Sequence, residues 1–141
     1  MASVNISIPG KIVGKQRPKF SRQGNFVKTY TPEKTVNYEN FVKMCWMQSG
    51  AEKLHGNILA VIVARFLIPA SASKKKHREL HEAYCPKKPD CDNIAKSILD
   101  ALNGIAYDDD SQIVELSVTK RYTDDEEGVE LYLMEEINGK D

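Results

Sequence analysis

The densest chemistry in this sequence lies between Lys88 and Gln112. Asp90 and Asp92 flank Cys91, Lys96 and Asp100 follow, and three consecutive acids, Asp108, Asp109 and Asp110, close the stretch. At about 100° per residue, Ile94, Ala95, Ile98, Leu99, Ala101 and Leu102 share one side of a helix. Asp92, Asn93, Lys96, Ser97, Asp100 and Asn103 share the other, which sets Asp92 and Lys96 one turn apart. Gly104 supplies the left-handed residue that ends such a helix. Only a few residues then separate it from Asp110, at the start of a strand expected near Gln112. Asp90, Asp92 and Asp110 could therefore converge on one hard cation, which prefers oxygen ligands. Either cluster alone reads as a helix cap or a solvated turn. Both together, with Lys96 between them, need a cation or chemistry on a polyanion to offset the repulsion of like charges.

Other constellations are weaker. Neither acidic cluster has EF-hand spacing, since each lacks the central glycine and one lies within a helix. His77, His81 and Cys85 recur at four-residue intervals before Cys91, but no C-x-x-C accompanies them. Solvated histidines and a packed cysteine describe them better than zinc. Gly10 to Lys15 falls one residue short of a P-loop and lacks the hydroxyl residue after the lysine.

The elements that must hold the acids can be traced along the chain. Val4, Ile6 and Ile8 alternate with polar residues as a strand, ended by Pro9-Gly10. Residues 14–24 are basic, glycine-punctuated and poor in apolar side chains, which predicts a long loop before a short strand over 25–30. Thr31 as N-cap and Pro32 at the first helical position open a helix that carries Tyr38, Phe41, Val42, Cys45 and Trp46 on one face and ends at Gly50. The run from Ile58 to Ile68 is rich in β-branched residues and fits a central strand covered on both faces. Residues 69–88 read as an exposed, irregular insertion. Val114, Leu116, Val118 and Tyr122, then Val129, Leu131 and Leu133, alternate on either side of an acidic turn, most simply as a hairpin. The expected order is β-β-α-β-α-β-β: an α+β fold, one domain over 1–141, a mixed sheet with helices packed on it.

A length of 141 residues allows one real core, and 41% hydrophobic content makes that core globular in kind. With no signal-peptide core and no long apolar run, the expectation is a soluble, cytoplasmic protein without a membrane partner. Three cysteines define no disulfide framework. The net charge of zero conceals segregation. Lys11, Lys15, Arg17, Lys19, Arg22 and Lys28 precede any acid, and Lys74, Lys75, Lys76 and Arg78 form a second run followed by Lys87 and Lys88. Phe20, Phe26 and Tyr30 are interleaved with the first set. Phosphate contacts beside aromatic stacking surfaces are the usual means of holding nucleic acid, so these twelve basic residues are candidate DNA contacts.

The pattern Lys88-Pro89-Asp90-x-Asp92-Asn93-x-x-Lys96-x-x-x-Asp100-x-Leu102-x-Gly104, followed by Asp109-Asp110-Ser111-Gln112, resembles the RusA family of Holliday-junction resolvases. Gly14-Lys15-x-Arg17-Pro18 and Tyr30-Thr31-Pro32 are similar to that family too. The resemblance implies a small, homodimeric, magnesium-dependent endonuclease, with Mn²⁺ as a substitute ion, acting on four-way DNA junctions in a bacterial or prophage setting. It implies Asp90, Asp92 and Asp110 as catalytic, metal-binding carboxylates and Lys96 as the essential basic residue, with Asp109 a further potential ligand. Asp108 makes three acids where the family pattern has two, which leaves the register between Asp109 and Asp110 open. The 71–88 segment is longer than the family leads one to expect. Such a dimer could pair through the 31–49 helix or the 11–30 loop. Two other readings compete: a nuclease for flaps or other branched DNA, and a non-catalytic DNA-binding phage accessory protein whose acids hold a structural cation.

Overall fold

The computed structural model describes residues 2–136; the ends of the expected 1–141 domain lie outside them. The chain runs β1 (Ser3–Pro9), β2 (Lys19–Gln23), β3 (Phe26–Tyr30), α1 (Glu33–Ser49), β4 (Ile58–Leu67), α2 (Lys74–Leu80), α3 (Cys91–Ala101), β5 (Ile113–Thr123) and β6 (Gly128–Glu135). A single turn of 3₁₀ helix, Asp110–Gln112, precedes β5. The fold is α+β in one domain, with a mixed four-stranded sheet in the order β1-β6-β4-β5.

The most apolar strand takes an inner position. β4 pairs in parallel with β5 and antiparallel with β6, and β1 closes the other side antiparallel to β6. Burial along β4 alternates: Ile58, Ala60, Ile62, Ala64 and Phe66 are buried, and the residues between them only partly so. The expectation of two fully covered faces is thus corrected, because helices cover only one. α1 packs on β1 and α3, and α3 packs on β5. Tyr38, Val42 and Trp46 of α1 meet Ile94, Ile98, Leu99 and Leu102 in the same core.

β5 and β6 do not form the expected hairpin, since β4 lies between them. Their acidic connection crosses the end of β4, where Glu127 Oε1 accepts the Leu67 N–H at 2.9 Å and the Glu127 carbonyl accepts the Gly10 N–H at 2.9 Å. A central apolar strand needs a partner on each edge, and this need outweighs the short link between its two neighbours.

Two segments are more regular than expected. Part of the 14–24 loop is strand, for β2 and β3 form a separate two-stranded ribbon with Ser21 opposite Lys28. The 69–88 insertion contains α2, capped by the Ser73 hydroxyl, which accepts the Lys76 N–H at 3.1 Å. Residues 82–85 then line the outer edge of β5, with Glu82 N–H on the Tyr122 carbonyl and Cys85 N–H on the Lys120 carbonyl, each 3.0 Å. Pro32, not Thr31, holds the N-cap position of α1, without a side-chain cap. Gly50 ends that helix as expected, at φ +72°.

Candidate active site

α3 is amphipathic as its spacing requires. Ile94, Ala95, Ile98, Leu99, Ala101 and Leu102 are buried, and Asp92 and Lys96 are exposed. Ser97 departs from the expected polar side: it is buried, and its hydroxyl donates to the Ile94 carbonyl at 3.0 Å. The helix ends two residues early, at Leu102, with Gly104 left-handed beyond it. Asp90 is the N-cap residue, its carbonyl accepting the Ile94 N–H at 3.0 Å, but its carboxylate caps nothing. The loop before it is anchored by the Lys120 ammonium, which donates to the Lys87 and Pro89 carbonyls. From the other side comes the 14–15 backbone, where Lys15 N–H reaches the Asn93 carbonyl at 2.8 Å. A Cβ on Gly14 would stand 2.6 Å from Pro89 Cβ, so only glycine lets that strand of backbone lie on the first turn of α3.

The three consecutive acids have three different roles. Asp108 pairs with Lys53, whose hydrogen bond and charge lower its carboxyl pKa. Asp109 caps the 3₁₀ turn, accepting the Ser111 N–H at 3.1 Å, and Ser111 holds its carboxyl below the ordinary value. Gln112 completes this capping box: its Oε1 accepts the N–H groups of Asp108 and Asp109, and its Nε2 donates to the Gly56 carbonyl at 2.9 Å. Asp110 is fixed through its backbone, whose N–H donates to Asn103 Oδ1 at 3.1 Å. Among the described residues its carboxylate has no ion-pair partner. Tyr107 ties this turn to the helix, its buried phenol donating to the Leu99 carbonyl and its pKa pushed up by burial.

Asp92, Lys96, Asp100 and Asp110 line one cavity of about 330 Å³, floored by Ala95, Leu99, Ile113 and Leu116. Asp92 and Lys96, though one turn apart, form no ion pair within 4.0 Å; among the described residues, neither they nor Asp110 has a salt-bridge partner. Asp90 is absent from this lining. It lies on the adjoining cleft of about 340 Å³, with Lys11, Lys15, Lys34 and Lys88. Asp92 and Asp110 thus share one cavity while Asp90 lines the cleft beside it, and among the described residues no three acidic, histidine or cysteine side chains are grouped as an ion-binding cluster. The cavity's donors are nonetheless all carboxylates, the oxygen type that Mg²⁺ and Mn²⁺ take.

The basic residues are unevenly placed. Arg17, Lys19, Arg22 and Lys28 are exposed on and before the β2–β3 ribbon, where Phe20 and Phe26 are 72% and 78% exposed. Lys11 and Lys88 flank Asp90. The Lys15 ammonium, between them in sequence and cleft, bridges Glu39 at 3.0 Å and Asp100 at 3.6 Å. Lys87 lies over the Tyr122 ring. Lys74, Lys75, Lys76 and Arg78 are exposed on α2, where His77 and His81 bond Asp124 at the far end of β5 from Asp110. With eleven residues in β5, that is about 35 Å along the strand. Cys85 nearby is buried. Two residues outside the expected set belong here: Lys34, isolated in sequence from the basic runs, and Asp100, which shares the polar helix face with Lys96.

No described helix is long and apolar enough to cross a membrane. The chain is 31% identical over 130 residues to an uncharacterized protein of Bacillus subtilis strain 168, YqaN, covering 89% of this chain and 92% of the relative. Residues 9–134 match the family described as endodeoxyribonuclease RusA, a span that takes in the basic segment, α3 and the Asp110 turn. The chain belongs to the RusA endodeoxyribonuclease family.

Proposed function

We propose that this endonuclease nicks four-way DNA junctions symmetrically, as a homodimer, with a Mg²⁺ requirement that Mn²⁺ can also meet. The observation that carries the reading is the shared cavity of Asp92, Lys96 and Asp110, three charged groups without ion-pair partners among the described residues, beside a lysine-lined cleft. Asp92 and Asp110 would hold the divalent ion, with Asp90 joining from the mouth of the adjoining cleft. Asp109, engaged in its cap, is the weaker ligand. The ion would acidify a water and neutralise phosphate charge.

The chain's own groups do the rest. Lys96 stabilises negative charge on the phosphate as the attacking oxygen adds, or orients that oxygen. Lys11, Lys34 and Lys88 guide the backbone toward Asp90, and the exposed bases and aromatic rings of the ribbon grip a neighbouring arm. Without an ion, the carboxylates repel DNA and these basic flanks supply the attraction. Such a substrate puts the protein in the cytoplasm of a bacterium, encoded by the host or a prophage.

The test compares purified protein on a synthetic four-way junction, a flap and a linear duplex, each with Mg²⁺ and with chelator. Paired nicks in opposing strands of the junction, absent with chelator, are expected. Preferential flap cleavage would assign a different branched substrate, and no cleavage of any DNA would leave a binding protein.

A further inference from the structure

A cavity of about 540 Å³ adjoins the lysine-lined cleft and has none of the site's carboxylates in its walls. One wall is a stripe of α1, Glu33, Lys34, Asn37, Tyr38 and Phe41, spaced by threes and fours as residues on one helix face are. The other is the end of β1 and the chain beyond it, Pro9, Lys11 and Val13. Lys11, Val13 and Lys34 line the cleft as well, so the two hollows share a rim. Tyr38 is buried, and among the described residues its hydroxyl is the one buried side-chain polar atom with no hydrogen-bond partner. Such a group ordinarily has one, and nothing in the described fold supplies it.

We propose that this cavity receives one unpaired DNA base from beside the branch point and stacks it on Phe41, while the phosphate of that nucleotide stays at the rim with Lys11 and Lys34. The inference rests on the branched-DNA reading above and adds to it a base-binding subsite separate from the cavity of Asp92 and Asp110. A base has flat apolar faces and a polar edge. Pro9, Val13, Tyr38 and Phe41 supply apolar walls, in a volume usual for a small-ligand site. Asn37 can both donate to a base edge and accept from it, and Glu33 can accept from an exocyclic amine. The two lysines at the shared rim match the phosphate that must follow the base in. A base at the branch point of an open junction is stacked on one side only, so drawing it out costs less than from within a duplex.

Binding titrations with chelator present, so that no strand is cut, test the subsite with two four-way junctions. One carries an unpaired deoxyadenosine at the branch point, the other an abasic residue in its place, and the pair is repeated in each of the four strands. Both leave the same backbone unpaired, so the ratio of affinities reads the base alone. The wild type should favour the adenine about tenfold in at least one strand, within the range for stacking one base on an aromatic ring. Asn37→Leu, at an exposed helix position, puts a branched aliphatic group in the cavity and should bring the ratio to about one while the abasic junction is still bound. Phe41→Leu removes the stacking ring and should lower the ratio severalfold. Lys34→Gln should weaken both junctions together and leave the ratio unchanged. Equal wild-type affinities in every strand, or a ratio that survives both Asn37→Leu and Phe41→Leu, would assign the cavity another occupant and overturn the proposal. Binding without preference for the base defeats the subsite alone, whereas failure to bind either junction defeats the branched-DNA reading with it.

Discussion

At the scale of single residues, neighbouring aspartates are set apart by what their backbones and partners do. Asp109 accepts hydrogen bonds from Ser111 and is engaged, whereas Asp110, one residue on, lines the cavity. The lowered pKa of Asp109 gives the pH dependence a sign. A depressed folded-state value contributes stability that is present above the unfolded value of about 3.9 and is lost as pH falls through the folded one. The capping turn should therefore stay ordered through the usual carboxylate range and loosen only below it. An NMR titration of the Ser111 amide checks this; a midpoint at or above the ordinary aspartate value would contradict it. The split between Asp109 and Asp110 was not legible in the sequence, which shows three equivalent acids. The Asn103 side chain and the Gln112 capping box decide it, and both act through folded geometry.

Among the elements, α3 and the Asp110 turn depend on two contacts that no local pattern announces. Tyr107→Phe removes the phenol that satisfies the Leu99 carbonyl near the helix end, and should cost about 1–2 kcal/mol in urea unfolding; an unchanged midpoint would show the bond to be idle. Gly14→Ala forces a Cβ to 2.6 Å from Pro89 and should destabilise by about 1–3 kcal/mol while lowering cleavage more than junction binding. Wild-type stability would contradict that tight crossing. The elements themselves were largely legible: β1, β3, α1, β4, α3 and the alternation of β5 and β6 follow from apolar spacing. Strand order was not. β5 and β6 are adjacent in sequence and alternate as a hairpin would, but the partners of β4 are set by burial of its apolar run, a long-range demand. β2 and α2 were missed for a related reason: β2 is exposed almost throughout and α2 buries nothing, so neither carries a hydrophobic period to read.

For the whole molecule, a net charge of zero coexists with a basic ribbon, a lysine-lined cleft and an acidic cavity. Replacing Lys19, Arg22 and Lys28 by glutamine should flatten the salt dependence of junction binding by roughly 0.9 for each phosphate no longer neutralised, up to about 3 in all. Binding titrations across salt concentrations check this, and an unchanged slope would remove the ribbon from the DNA path. The sequence made the chemistry of the site legible through residue types, but not its division into a cavity with Asp92 and Asp110 and a cleft with Asp90. The central claim is that this cavity cuts the DNA backbone and the basic surfaces only hold it. Single-turnover nicking of a labelled four-way junction by Asp110→Asn, with binding measured in the same samples, tests it most directly. Cleavage should fall by at least about a hundredfold with binding retained or strengthened. Cleavage at the wild-type rate, or binding abolished together with cleavage, would contradict it.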